Sequence, residues 1–318
     1  MNIDYLDEQD VQRHLTMPAC IELMADTQVA ISRGEVLLPL RHSLGLNANK
    51  GSLLIMSGEM IKKEIFGVKL ISVFPANPAA GHPAIQGGIL LFDSHKGSPL
   101  ALVEAASITA IRTAAASAAA TKVLANPASH RLAILGCGVQ AASHLEAMLA
   151  VRSVDEVRIW GRDFEKAKVF VANQSSVSPT TLRACLTVEE AVADADIVCT
   201  VTGAQQPILE GRWLAPGVHL NLVGAHSATT REVDGLTLHG TRIFTEVSEF
   251  ARAEAGDILL ALAEGAIEEA DIIGEIGEVI DGKVVGRTNS CDITAYKNLG
   301  NTAQDLAAAY HVYKQANG

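Results

Sequence analysis

Residues Gly136-Cys137-Gly138-Val139-Gln140-Ala141 spell G-x-G-x-x-A directly after an apolar run, Leu132 to Leu135. Between a strand and a helix, this spacing gives a tight turn at the first glycine. The second glycine lets the backbone approach a phosphate, and the alanine lets the helix pack closely. The amides of a first helical turn have no internal partners, so they form an anion site. A strand-to-helix turn without ligand can carry the same spelling, but the strand–helix context favours a dinucleotide.

The choice of nucleotide turns on the end of the next strand, Glu156–Trp160. An NAD-binding domain places an Asp or Glu there to bond the ribose 2′-hydroxyl. This chain has Trp160, Gly161 and then Arg162, a cation suited to a 2′-phosphate. NADPH is therefore expected over NADH. Asp163 is the counter-argument, and its alternative role is the N-cap of a helix starting at Phe164.

Three cations interrupt apolar patterns. Lys69 lies inside IFGVKLISVF, sharing a strand face with Gly67 and Ile71, while Phe66, Val68 and Leu70 take the other. It is either solvated or aimed into a cavity. Arg41, in LLPLRHSLGL, poses the same question. Arg112 interrupts a small-residue helix; buried, it would require an anionic partner. Should the three converge, they would hold a small carboxylate, the arginines as bidentate clamps and the lysine as a point charge or proton source. His226 follows a strand of the second domain, where such sheets bind ligands, and is a proton donor or a plain loop residue. No His or Cys spacing suggests a metal.

Elements that could carry these residues follow from periodicity. Residues 7–32 read as two helices, with Asp7 as a cap and Gly34 as a stop. Strands are expected at 40–46, 52–57, 66–73, 85–93 and 100–103, broken at Asn47-Ala48-Asn49, the Asn77–Pro83 loop and Lys96-Gly97. They imply an antiparallel or mixed sheet. A small-residue helix covers 107–125 and ends at Asn126-Pro127. From Leu132 strands at 132–135, 156–160, 197–202, 220–223 and 241–245 alternate with helices at 140–149, 164–172 and 188–193, the order of a doubly wound parallel sheet. Residues 272–287 read as irregular, and a last helix covers 303–314. The fold class is α/β: a Rossmann-type doubly wound parallel sheet (119–296) plus an α+β substrate and dimerisation domain (1–118 with 297–318).

Composition sets outer bounds. With 318 residues, 48% hydrophobic and 19% charged, the chain can bury a sizeable core. A net charge of −11 argues against nucleic acid as a partner. The acidic start MNIDYLDEQD does not resemble a targeting signal, and no apolar run reaches membrane-spanning length, so a cytoplasmic location is expected. The five scattered cysteines read as buried thiols.

The blocks ASITAIRTAAASAAAT, the 136–141 turn with Gln140, IIGEIGEVIDGKVVGR and ITAYKNLGNTAQDLAAA together resemble the ornithine cyclodeaminase/μ-crystallin family, in order and over nearly the whole chain. The resemblance implies a homodimer formed by the first domain, and it puts Arg41, Lys69 and Arg112 where that family holds the substrate carboxylate. Cyclodeaminases of the family carry a catalytic Asp after a glycine that here is Gly224; His226 stands about there instead. Deamination needs an acid–base carboxylate, whereas imine reduction needs only hydride and orientation. The expected activity is NADPH-dependent reduction of a cyclic imino acid, with Lys69, Arg41, Arg112 and His226 at the substrate. Ornithine cyclodeaminase, alanine dehydrogenase and a non-catalytic small-ligand binder are the alternatives. Expected cofactor contacts are Thr113, Gly136, Gly138, Val139, Gln140, Arg162, Thr200, Val201, Thr202, Val223, Gly224 and Gly300.

Overall fold

A computed structural model describes residues 3–46, 50–176, 178 and 180–318. The expected break at Asn47-Ala48-Asn49 lies outside the described residues. The chain divides into two units: Met1–Arg112 with Gly300–Gly318, and Thr113–Leu299.

The first unit is built on strands β1 (Asp4–Leu6), β2 (Val36–Leu37), β3 (His42–Leu46), β4 (Gly51–Met60), β5 (Ile65–Val73), β6 (Ile85–Asp93) and β7 (Pro99–Glu104). Their order is β1-β7-β6-β5-β4-β2, with β3 also on β4. Strands β4 to β7 form an antiparallel meander, and β1 joins β7 in parallel. The short β1 was not expected, since three residues carry no readable alternation. Asp7 caps the Glu8–His14 helix in a reciprocal box with Asp10, and Gly34, at φ +69°, follows the end of the Met17–Ser32 helix.

The Thr302–Asn317 helix returns from the far end of the chain to pack on this sheet. Gly67 on β5 makes room for it, because a Cβ there would lie 2.7 Å from Leu306 Cδ2. The β5 face bearing Ile65, Gly67, Lys69 and Ile71 is buried, and Leu70 on the other face is exposed.

The second unit holds a parallel sheet of β8 (Arg131–Leu135), β9 (Glu156–Trp160), β10 (Thr181–Cys185), β11 (Ile197–Thr200), β12 (His219–Leu222), β13 (Arg242–Thr245), β14 (Ile272–Glu275) and β15 (Thr294–Lys297). The order is β10-β9-β8-β11-β12-β15-β13-β14, and every pair is parallel. Strand order reverses between β8 and β11, the point where doubly wound sheets open a crevice. The 272–287 segment, expected to be irregular, contains β14 and the Ile276–Ile280 helix. Gly274, Glu275, Gly277 and Glu278 interrupt the apolar residues there, which hides both elements from periodicity. Strands β10 and β15 were also not expected. β10 is a half-exposed edge strand carrying Arg183, and β15 reads as polar because Lys297 and Thr294 are buried in it. Nor are all five cysteines buried: Cys291 is exposed, in a turn where Asn289 Oδ1 accepts from its amide.

Among the described residues, no helix is long and apolar enough to cross a membrane.

Candidate functional site

In the first unit, Lys69 is 1% exposed and Arg112 4%. Both burials require compensation, because a bare buried charge costs several kcal/mol or more. Asp305, fully buried on the Thr302–Asn317 helix, supplies it. Its Oδ1 accepts from Lys69 Nζ at 2.9 Å and from Arg112 Nε at 3.0 Å. Lys69 Nζ also donates to Thr109 Oγ1 at 2.7 Å, and the Thr109 hydroxyl in turn donates to Ala105 O. Two of the three ammonium protons are thus placed, and the third has no protein acceptor among the described residues. Arg112 Nη1 donates to Gln304 Oε1 at 2.8 Å. Burial pushes the Lys69 ammonium down to about 8; Asp305 resists that shift, while Arg112 and Arg41 add to it.

Arg41 joins the group through Gly300, whose carbonyl accepts from Arg41 Nη2 at 3.2 Å. Gly300 sits at φ +73°, and a Cβ there would lie 2.3 Å from Arg112 Nη1. The residue is therefore a bare platform under one arginine and an acceptor for the other. Gly300, an expected cofactor contact, lies in the first unit, beside the cations.

The glycine turn lies in the second unit. Gly136 takes φ +134°, and its Cβ would lie 2.9 Å from Val201, so protein packing demands a glycine there. At Gly138, the N-cap of the Val139–Val151 helix, a Cβ would meet nothing within 4 Å, and no side chain caps the helix. Val139 is 71% exposed. Open space before an uncapped helix N-terminus, on the crevice side of β8, is a cradle for a phosphate. The residues present therefore fit a dinucleotide. Asp163 accepts from the amides of Glu165 and Lys166, so its carboxylate is committed to capping the Phe164–Ser175 helix. The neighbouring Arg162 is exposed.

The loops after β11 and β12 are tied together by a residue that sequence reasoning did not single out. Glu232 is fully buried and accepts from Thr200 Oγ1, Thr202 N, Thr202 Oγ1 and Gly224 N, at 2.6–2.7 Å. Burial raises its pKa, against the pull of the Thr202 and Thr200 hydrogen bonds. Behind it, Asp257 Oδ1 accepts from Glu232 N at 2.7 Å, and Asp257 Oδ2 accepts from Lys297 Nζ at 2.7 Å. Lys297 also donates to Ala225 O at 2.6 Å. Thr200, Val201, Thr202, Val223 and Gly224 thus lie on one braced pair of loops. Thr113 contributes its carbonyl to Asn298 Nδ2. His226 is exposed on the same second unit, its Nδ1 3.0 Å from Gly224 O.

Asp305 and Gln304 were missed as well. The only signal was an acid inside the apolar stretch NTAQDLAAA, together with the rule that a buried arginine needs an anion. No group of three or more metal-ligating side chains occurs among the described residues.

Residues 2–318 match the model of the ornithine cyclodeaminase/mu-crystallin family. The chain is 37% identical to ketimine reductase mu-crystallin of Mus musculus over 316 residues, 97% of this chain and 96% of that protein. Its fold matches Thermococcus litoralis Δ1-pyrroline-2-carboxylate reductase, solved with NADH and L-proline, with a TM-score of 0.96 and 32% identity, covering 99% and 98% of the two chains. It also matches an archaeal alanine dehydrogenase dimer with bound NAD, with a TM-score of 0.92 and 29% identity, covering 100% and 97%.

Proposed function

Because the chain belongs to the ornithine cyclodeaminase/mu-crystallin family, we propose that it reduces cyclic imino acids, Δ1-pyrroline-2-carboxylate and Δ1-piperideine-2-carboxylate, to L-proline and L-pipecolate. It is an NAD(P)H-dependent oxidoreductase acting on C=N bonds. The reading is carried by the buried trio of Lys69, Arg112 and Asp305 with Arg41 beside it, an anion site that also holds a transferable proton.

Arg41 and Arg112 clamp the substrate carboxylate, which fixes the ring in one orientation. Lys69 adds positive charge, and its uncommitted proton is available to the ring nitrogen. When bound, the nicotinamide supplies a hydride to the imine carbon. The backbone at Gly136, Gly138, Val139 and Gln140 would hold the pyrophosphate, and the braced loops of Thr200–Thr202 and Val223–Gly224 would line the nucleotide. NADPH is the preferred donor in this reading, since Arg162 is exposed for a 2′-phosphate while Asp163 is occupied with capping. His226 stands where deamination would need a carboxylate, which supports reduction over ammonia release. The enzyme acts in the cytoplasm as a homodimer joined through the first unit.

The test is a nicotinamide absorbance assay with Δ1-pyrroline-2-carboxylate and each of NADPH and NADH. We expect oxidation of both, faster at limiting NADPH, with kcat/KM falling as pH rises through about 8, where the Lys69 proton is lost. Ammonia released from L-ornithine without net nucleotide oxidation overturns the reading, as does turnover confined to pyruvate with ammonia.

A further inference from the structure

We propose that Asp305 is a positioning residue for this reduction: it fixes Lys69 and Arg112 on a single carboxylate oxygen and keeps on Lys69 the proton that the imine nitrogen takes. The inference rests on the reductase reading of the same site.

The geometry is asymmetric. Asp305 Oδ1 receives both Lys69 Nζ and Arg112 Nε, while Oδ2, also buried, has no partner. Arg112 therefore does not meet this carboxylate as a two-oxygen fork, and its Nε shares one oxygen with Lys69. Sharing one oxygen holds the two nitrogens within its reach of each other. The donors left over, the third ammonium proton and the remaining guanidinium edge, are then presented together. Gln304 Oε1, one residue back on the same helix, fixes Arg112 Nη1 and so sets the plane of the fork.

The strand neighbours of Lys69, Met56 on β4 and Ile89 on β6, carry no charge, so the charges around it come from the other elements packed there. Arg112 and the neutral Thr109 belong to the Ala105–Leu124 helix, and Arg41 precedes β3. Cys20, on the Met17–Ser32 helix, feels Arg112, but burial pushes its thiol up to about 12, so it carries no charge. Among the described residues, Asp305 is the charged group that stabilises the ammonium; burial, Arg112 and Arg41 all favour the neutral amine. Without this carboxylate, Lys69 would lose its proton at a lower pH.

The proton balance is simple. Reduction adds hydride to the ring carbon and a proton to the ring nitrogen, so C=N becomes CH–NH and the nicotinamide is oxidised. Lys69 passes from ammonium to amine, and water returns its proton. Asp305 touches no reacting atom and acts through Lys69.

The experiment compares wild type with Asp305→Asn, which keeps shape and removes charge. Two pH series are measured. One is kcat/KM for Δ1-pyrroline-2-carboxylate, which reports the free enzyme. The other is calorimetric binding of pyrrole-2-carboxylate, a planar carboxylate without a reducible imine, to the protein alone. In Asp305→Asn the alkaline midpoint of both series should move down by about one unit or more, a roughly tenfold loss at pH 8 relative to pH 6. Unchanged midpoints overturn the proposal. Should Asp305→Asn fail to fold, Asp305→Glu keeps the charge but shifts it by one methylene: its midpoint should hold while KM rises about fivefold or more. A wild-type KM in that variant also overturns it. If wild type binds pyrrole-2-carboxylate but reduces no imino acid, the reductase reading fails and the binding series still reports on Asp305. No carboxylate binding by wild type overturns both.

Discussion

Gly300 shows how one missing side chain can serve a charged site. Its carbonyl receives Arg41 and its Cα face lies against the Arg112 guanidinium, in a left-handed conformation that an L side chain rarely adopts. Gly300→Ala therefore strains the backbone and drives a methyl into Arg112. We expect KM for the imino acid to rise by about tenfold or more, with dinucleotide affinity unchanged, measured by steady-state kinetics and by fluorescence titration with NADPH. An unchanged KM would detach Gly300 from the anion site. At this scale the sequence was readable where a residue type broke a pattern. Lys69, Arg41 and Arg112 stood out as cations in apolar surroundings, and their partner Asp305 did not. A buried ion pair is written as two separate anomalies, far apart in the chain, and nothing local says which acid answers which base.

The same limit applies to whole elements. The glycine turn, the long small-residue helix and the early β8–β9 alternation were legible because apolar periodicity and turn residues agree there. Strand β15 was hidden by Lys297, whose charge is cancelled by Asp257 only once the fold exists. The loops after β11 and β12 were named as cofactor contacts, but what shapes them, Glu232, looks in sequence like an ordinary polar loop residue. Four donors converge on its buried carboxylate, so Glu232→Gln replaces two acceptor oxygens by one and sets an amide N–H₂ against some of those donors. The expected cost is about 1–3 kcal/mol of stability, read as a lower Tm, together with several-fold weaker NADPH binding and an unchanged KM for the imino acid. Tight NADPH binding in this variant would mean that the braced loops do not carry the nucleotide.

For the whole molecule, the outward face of the first unit's sheet bears on assembly. Leu44, Leu70 and Leu102 are 51%, 46% and 36% exposed, on neighbouring parts of a sheet whose other face is covered by helix. An apolar sheet face left in water is a docking surface, and a second copy is the occupant consistent with the homodimer proposed above. Light scattering should give the mass of a dimer for wild type. Leu70→Asp, which buries a charge if the face is an interface and is harmless if it is not, should give a monomer.

The first unit is also discontinuous in sequence: its sheet is made early, yet the helix that covers the sheet and carries Asp305 comes last. During synthesis the ribosome must translate the entire Rossmann-type unit before the acid that answers Lys69 and Arg112 exists. Throughout that interval Lys69 on β5 and Arg112 on the Ala105–Leu124 helix are bound for burial without their counter-ion. The anion site can therefore be completed only after the whole second unit has been translated. The ion cluster proposed to receive the substrate thus also fixes the order in which the parts of the first unit can be completed.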